Sequence, residues 1–237
     1  MTLLEEDGRL LIIALDHGLY SWPNPGLEDR RAVIEASVAG GADALIASYG
    51  TIRDLRDAFG SAKPILKLDT TALSIGSYQD APYRLAWTVD DAQRIGAAAV
   101  LTYVQVGSPN ELDDLQAAGR IAAEADRAGL PYVCEIMPVG EATPAAIAAC
   151  VRAGAELGAH LVKTTIPLPA SGLDECRAQG IPIVLAGGDL SGNREALFST
   201  VEDCLLHGAS GVAFGRNAWG SGDLIGTVQR LHGLIHQ

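Results

Sequence analysis

Four stretches of the chain share one pattern: a glycine, a small residue, then an apolar run. They are GGADALIAS (40–48), GAAAVLTYV (96–104), GAHLVKTTI (158–166) and GASGVAFGR (208–216). Glycine in that place is the usual end of a helix, so each copy reads as helix, turn and strand. The copies recur roughly every 50 to 60 residues, too far apart for one βα unit and suited to two. Between them lie LLIIALDHG (10–18), PILKLDT (64–70), PYVCEIMP (131–138) and IPIVLAGGD (181–189), which raises the expected strands to eight. Their near-continuous apolar character suits parallel strands buried on both faces.

Helical patterns fill the intervals. LEDRRAVIEASVAG (27–40) sets Val33, Ile34, Ala36 and Val38 on a charged background, and longer cases run over 110–129 and 193–208, with Asn110 and Asn193 as expected N-caps. Strict βα alternation, eight times, predicts a closed (β/α)8 TIM barrel, with residues 1–237 as a single catalytic domain. An open doubly wound sheet would favour GxGxxG after its first strand, and LDHGLYSW is not that.

Composition narrows the function. With 48% hydrophobic and 19% charged residues, 237 residues suit one unit with a large core. A formal net charge of −12 argues against nucleic acid or an anionic membrane as partner. No apolar run reaches the roughly 18 residues of a spanning helix. The N-terminal stretch MTLLEEDGRLLIIALDHG lacks a basic segment and a cleavage site, so it does not read as a signal peptide. Cys134, Cys150, Cys176 and Cys204 form no CxxC pair and read as small buried hydrophobes in a reducing cytoplasm. His17, His160, His207, His232 and His236 show no ligand spacing, so no metal or other cofactor is expected.

Chemistry in such barrels sits at the carboxyl ends of the strands. There the chain places Asp16 and His17 (first strand), Lys67 and Asp69 (third), Tyr103 and Gln105 (fourth), Glu135 (fifth), Lys163 (sixth), Gly187 and Gly188 (seventh), and Gly215, Arg216 and Asn217 (eighth). A lysine on an apolar run ordinarily snorkels, its head in water. Parity argues otherwise for Lys163. Alternate residues on a barrel strand point inward, and Asp16, Lys67, Asp69, Tyr103, Glu135 and Lys163 each share parity with the apolar residues that would fill the interior. Unpaired buried charge costs several kcal/mol, so ionisable groups on five strands at one end require a reason beyond packing.

A buried amine is a nucleophile once it has lost its proton. Burial and a second cation such as Lys67 favour that loss, whereas Asp16 and Glu135 oppose it. A neutral Lys163 can form an imine with a ketone or aldehyde, and the protonated imine accepts electrons from an adjacent breaking C–C bond while a carboxylate or phenol moves the hydroxyl proton. AGGD (186–189) and FGRN (214–217) offer backbone N–H groups and one guanidinium, a pattern suited to phosphate. Asp69 and His17 are further candidates for contact with substrate.

These residues resemble the class I aldolases of the deoxyribose-phosphate aldolase superfamily, in particular the branch of archaeal-type fructose-bisphosphate aldolase and 2-amino-3,7-dideoxy-D-threo-hept-6-ulosonate synthase. The likeness runs from LDHG (15–18) through GAHLVKTT (158–165) to LAGG (185–188) and GVAFGRNAW (211–219). It implies Lys163 as the Schiff-base lysine, Asp16 as an aid to proton movement, and Gly187, Gly188, Gly215 and Arg216 as a phosphate cradle. It further implies a phosphorylated sugar substrate, no metal, and a homo-oligomer, commonly a decamer. Two departures stand out. Close relatives carry a tyrosine before the fifth-strand proline, where this chain has Met137-Pro138; Glu135, similar to the glutamate of tagatose-bisphosphate-type aldolases, is the substitute, with Tyr103 second. The first strand also begins near residue 10, without the family's usual N-terminal helical extension. Two other readings keep the barrel: a phosphosugar-binding protein that has lost catalysis, and a phosphosugar isomerase or lyase that forms no imine.

Overall fold

The computed structural model describes residues 2–76 and 81–237. Its eight expected strands are all present: β1 (Leu10–Ala14), β2 (Ala44–Ala47), β3 (Lys63–Lys67), β4 (Ala99–Val106), β5 (Tyr132–Pro138), β6 (Leu161–Thr165), β7 (Ile183–Ala186) and β8 (Gly211–Phe214). Each pairs in parallel with the next, and β8 closes on β1, so the sheet is a closed (β/α)8 TIM barrel. Parity divides the apolar residues as expected. Ile12, Ile65, Leu101, Val133, Leu161 and Val184 fill the interior, whereas Leu11, Leu66, Val100, Cys134, Val162 and Leu185 face the surrounding helices.

The helices are α1 (Arg30–Ala39), α2 (Tyr49–Leu55), α3 (Val89–Arg94), α4 (Glu111–Ala128), α5 (Pro144–Glu156), α6 (Arg194–Leu206), α7 (Arg216–Trp219) and α8 (Leu224–Ile235). Side-chain oxygens at Asp29, Thr143, Asn193 and Asp223 accept first-turn N–H groups, which have no partner within the helix. Asn110 does not cap α4. Its ψ of 5° turns it away from the extended geometry that a cap needs, and Glu111 instead accepts the Gly107 N–H at 2.7 Å. The expected alternation also departs from pattern after β6, where a 3-10 segment (Ala170–Gln179) stands in place of an α-helix. It packs closely on α5: a Cβ on Gly172 would lie 2.9 Å from that of Pro144.

Two-residue strands lace the mouth, Ser21–Trp22 with Ser74–Ile75 and Asp69–Thr70 with Arg84–Leu85. Trp22 lies exposed in this rim. The four cysteines are free and buried, as expected. Burial pushes the Cys134 thiol up to about 12 and those of Cys150 and Cys204 to about 11, so none is poised as a thiolate. One histidine reading is corrected. His232 and His236 are four residues apart at the end of α8, and their rings lie 4.5 Å apart; this is ligand spacing on a helix. Among the described residues no helix is long and apolar enough to cross a membrane.

Gly211 opens β8 opposite Leu10, with φ of 156°, and a Cβ there would collide with the Leu10 carbonyl oxygen. Gly211→Ala should therefore destabilise the barrel seam by more than ~1 kcal/mol. The urea midpoint should fall; an unchanged midpoint would mean that the seam tolerates the methyl.

Candidate active site

Strand register assembles the site. Lys163 of β6 lies opposite Glu135 of β5, and Glu135 opposite Tyr103 of β4. All three follow interior apolar residues by two positions, so their side chains continue the inner layers toward the mouth. Lys163 does not snorkel: its side chain is 6% exposed, and Nζ lies 2.6 Å from Glu135 Oε1. On the other side of the same carboxylate, Lys67 Nζ stands 3.8 Å from Oε2 and 2.9 Å from Asp69 Oδ1. Two amines and two carboxyl groups thus form one buried chain of contacts.

Burial would raise the Glu135 carboxyl and lower the Lys67 amine, but charge overrides it. Lys163 and Lys67 hold Glu135 below the usual carboxylate range, while Asp69 and Glu135 hold Lys67 above the usual amine range. The Lys67 ammonium also lies 5.2 Å and 5.5 Å from the ring centres of Tyr83 and Tyr103, which pack on each other at 4.5 Å. The distances left open along the chain place Glu135, not Lys67, in contact with Lys163. The Lys163 nitrogen thus has an anionic acceptor in hydrogen-bond contact, and the charge of Lys67 is matched by carboxylates.

Asp69 lies beside the Lys163 cavity, behind Lys67. One oxygen faces Lys67, and the other accepts the Tyr103 backbone N–H at 2.5 Å. It borders a neighbouring cavity with Arg84 and Asp113, not the one around Lys163.

Asp16 and His17 lie in the 3-10 turn Asp16–Leu19 that follows β1. Asp16 is buried, and its Oδ1 has no hydrogen-bond partner among the described residues; His17 Nδ1 is 3.8 Å away. A carboxylate oxygen left open inside a barrel is costly unless something arrives to use it. The His17 ring packs edge-on to Trp219 at 5.2 Å, whose indole donates to the Ala14 carbonyl at 3.1 Å. Burial lowers the His17 pKa to about 4, with Asp16 opposing and Lys163 and Arg216 assisting. The imidazole is therefore neutral at pH 7.

Beside β6, Gly187 and Gly188 follow β7 while Gly215 and Arg216 follow β8. Asn217 holds the two segments together. Its Nδ2 donates to the carbonyls of Gly187 (2.8 Å) and Asp189 (2.9 Å), and its Oδ1 accepts the Ser191 N–H at 2.7 Å. A Cβ on Gly187 would lie 2.8 Å from the Phe214 ring, and one on Gly215 would lie 2.5 Å from His17 Cε1. Gly188 has φ of +64°, which suits glycine. The Arg216 guanidinium pairs with the exposed Asp189 at the rim.

A cavity of about 170 Å³ brings together Lys163, Glu135, Lys67, Asp16, His17 and Tyr103, and Gly187, Gly188, Gly215 and Arg216 line it too. Met137 borders the same space, so the position before the fifth-strand proline presents a thioether there. Sequence reading missed Tyr20, Tyr83 and Thr165 as lining residues. Tyr20 and Tyr83 come from loops that carry no periodic pattern. Thr165 ends LVKTT two positions after Lys163, so parity was available to find it. Burial, with Asp16 and Glu135 adding to it, holds the Tyr20 phenol well above its ordinary pKa.

Comparison with known proteins agrees with this geometry. Residues 10–221 match the DeoC/LacD family aldolase. The chain is 34% identical to a 2-amino-3,7-dideoxy-D-threo-hept-6-ulosonate synthase of Halobacterium salinarum, over 92% of this chain and 83% of that protein. It is 29% identical to a 3-hydroxy-5-phosphonooxypentane-2,4-dione thiolase of Yersinia pestis, over 97% of this chain and 78% of that one. Among solved structures, an archaeal fructose-1,6-bisphosphate aldolase with its catalytic lysine covalently bound to the carbinolamine intermediate of the substrate superposes with a TM-score of 0.90 at 26% identity, covering 99% of this chain and 97% of that one. The chain belongs to the DeoC/LacD aldolase family and is an aldehyde-lyase of the class I, Schiff-base type.

Proposed function

We propose that the protein makes or breaks a C–C bond of a phosphorylated ketose through an imine on Lys163. The observation that carries this reading is the contact of Lys163 Nζ with Glu135 Oε1 at 2.6 Å, inside a cavity that Gly187, Gly188 and Gly215 help to line. In the cleavage direction, Glu135 accepts a proton from Lys163, and the free amine adds to the ketose carbonyl. The carbinolamine loses water to give a protonated imine. As the neighbouring C–C bond breaks, its electron pair enters the imine to form an enamine, the hydroxyl proton passes to a carboxylate, and an aldehyde departs. Protonation of the enamine carbon and hydrolysis then free the second product and restore the lysine.

The carboxylates divide these tasks by position. Glu135 touches the nitrogen and serves proton transfers there, in place of the missing tyrosine. Asp16, with an unpartnered oxygen in the same cavity, takes the hydroxyl proton. Tyr103 is the weaker candidate, because its ring is stacked against Tyr83 and lies over Lys67. Lys67 contributes charge that holds Glu135 ionised. Gly187, Gly188, Gly215 and Arg216 form the phosphate cradle; for Arg216 this requires exchanging Asp189 for the ligand. His17, neutral at working pH, supplies packing against Tyr20 and Trp219 rather than charge. A phosphorylated sugar partner is supported by the relatives that act on such compounds.

Sodium borohydride added with dihydroxyacetone phosphate should fix a covalent adduct on Lys163, read as added intact mass. Lys163→Ala should form none and should turn over no phosphoketose; full activity in that variant would remove the proposal. Glu135→Gln keeps shape but loses the base, so kcat should fall about 10²–10⁴-fold. A change confined to KM would assign Glu135 to binding alone. His17 also predicts a pH effect on stability. Its unfolded pKa is near 6.5 and its folded value about 4, so between these the unfolded chain binds the extra proton. Its contribution is complete above pH 6.5 and is lost as pH falls toward 4, by up to about 3 kcal/mol. Urea midpoints of His17→Gln should vary less with pH across that window than those of the parent; parallel curves would contradict the assignment.

A further inference from the structure

At the opposite end of the barrel, where β1 and β2 begin, a second constellation has no part in this chemistry. Asp43 precedes β2, and His232 and His236 lie on or just beyond the last turn of α8. One ring nitrogen of each histidine and one Asp43 oxygen all lie within 4.8 Å of one another. His236 Nδ1 stands 2.7 Å from Asp7 Oδ2, and its Nε2 stands 3.0 Å from Asp43 Oδ2. The ring thus lies between two carboxylates, with Nδ1 on Asp7 and Nε2 on Asp43. No lysine or arginine pairs with Asp7 or Asp43 among the described residues. The Asp43 oxygen also accepts the Leu11 N–H at 2.5 Å, which fixes the carboxylate in place.

The second observation is independent. His232 Nδ1 is buried and has no hydrogen-bond partner among the described residues. It abuts Gly41, where a Cβ would lie 3.1 Å from that nitrogen. A buried ring nitrogen with nothing to bond is a cost unless a ligand uses it. Two imidazoles and a carboxylate form the donor set of a borderline transition metal, above all zinc. Asp7 supplies what such sites commonly add, a carboxylate that accepts the far N–H of a ligating histidine and fixes its tautomer.

We propose that Asp43, His232 and His236 bind one divalent transition-metal ion of the zinc type, with Asp7 orienting His236. Ligand atoms around tetrahedral zinc stand roughly 3.3 Å apart, so the set closes with small side-chain movements and leaves a fourth position for water. The ion ties the N-terminal arm, the entrance of β2 and the C-terminal helix together, and its role is stability rather than catalysis.

The test uses the intact chain, stripped with chelator and titrated with Zn2+ by calorimetry while thermal unfolding is followed. One ion per chain and a rise in Tm are expected. Both should disappear in His232→Ala, which removes a nitrogen that holds no hydrogen bond in the metal-free chain, and in Asp43→Asn. Asp7→Asn should weaken binding 10–100-fold without abolishing it. Co2+ should give visible d–d bands that depend on the same residues, a readout that survives if a variant is merely less stable. Absence of Zn2+ binding overturns the proposal. Binding that persists in both His232→Ala and Asp43→Asn overturns it as well, since the ion would then sit elsewhere, for example among the carboxylates of the catalytic cavity.

Discussion

The protein depends on one carboxylate between two amines. Glu135 contacts Lys163 at 2.6 Å and faces Lys67 at 3.8 Å, with all three side chains almost wholly buried. Without it, two amines would stand in the barrel with Asp69 and the more distant Asp16 as the carboxyl groups left to answer them. Removing one partner of a buried pair costs about 3–5 kcal/mol. Glu135 thus solves a folding problem and a chemical one together. It gives a buried lysine a charged partner, and in the reaction proposed for Lys163 it is the base nearest to the nitrogen.

That arrangement is precise because it is built on strands. Lys163, Glu135 and Tyr103 are register partners across three adjacent strands, and the layer beneath them is filled by Leu101, Val133 and Leu161. Moving any of the three strands by one residue would turn its polar group out among the helices. The adjoining wall is made differently. Loops after β7 and β8 would be free to move, but Asn217 bonds across them at three points, and the glycines keep the wall low where Phe214 and His17 press against it.

Much of this was legible along the chain. The eight strands, their order and the parity that gathers Asp16, Lys67, Glu135 and Lys163 follow from apolar runs punctuated by glycine, because a strand buried on both faces leaves few alternatives. Caps were legible where the local geometry is ordinary, as at Asn193, and failed at Asn110, where the preceding turn sets a backbone angle unsuited to capping. The 3-10 segment after β6 was not foreseen, since its close approach to α5 at Gly172 is a tertiary contact. Tyr20 and Tyr83 were missed because loop residues obey no period.

The amino-acid sequence alone determined the closed barrel, the end of it at which ionisable groups gather, and the lysine among them, because strand period and parity are local properties of the chain. Only the tertiary structure decided how those charges are shared. It paired Lys67 with Asp69, set Glu135 against Lys163, left an oxygen of Asp16 open, and brought His232 and His236 to Asp43 across nearly two hundred residues. Electrostatic pairing depends on distances of a few ångströms between groups far apart in the chain, and those distances exist only once the barrel has closed.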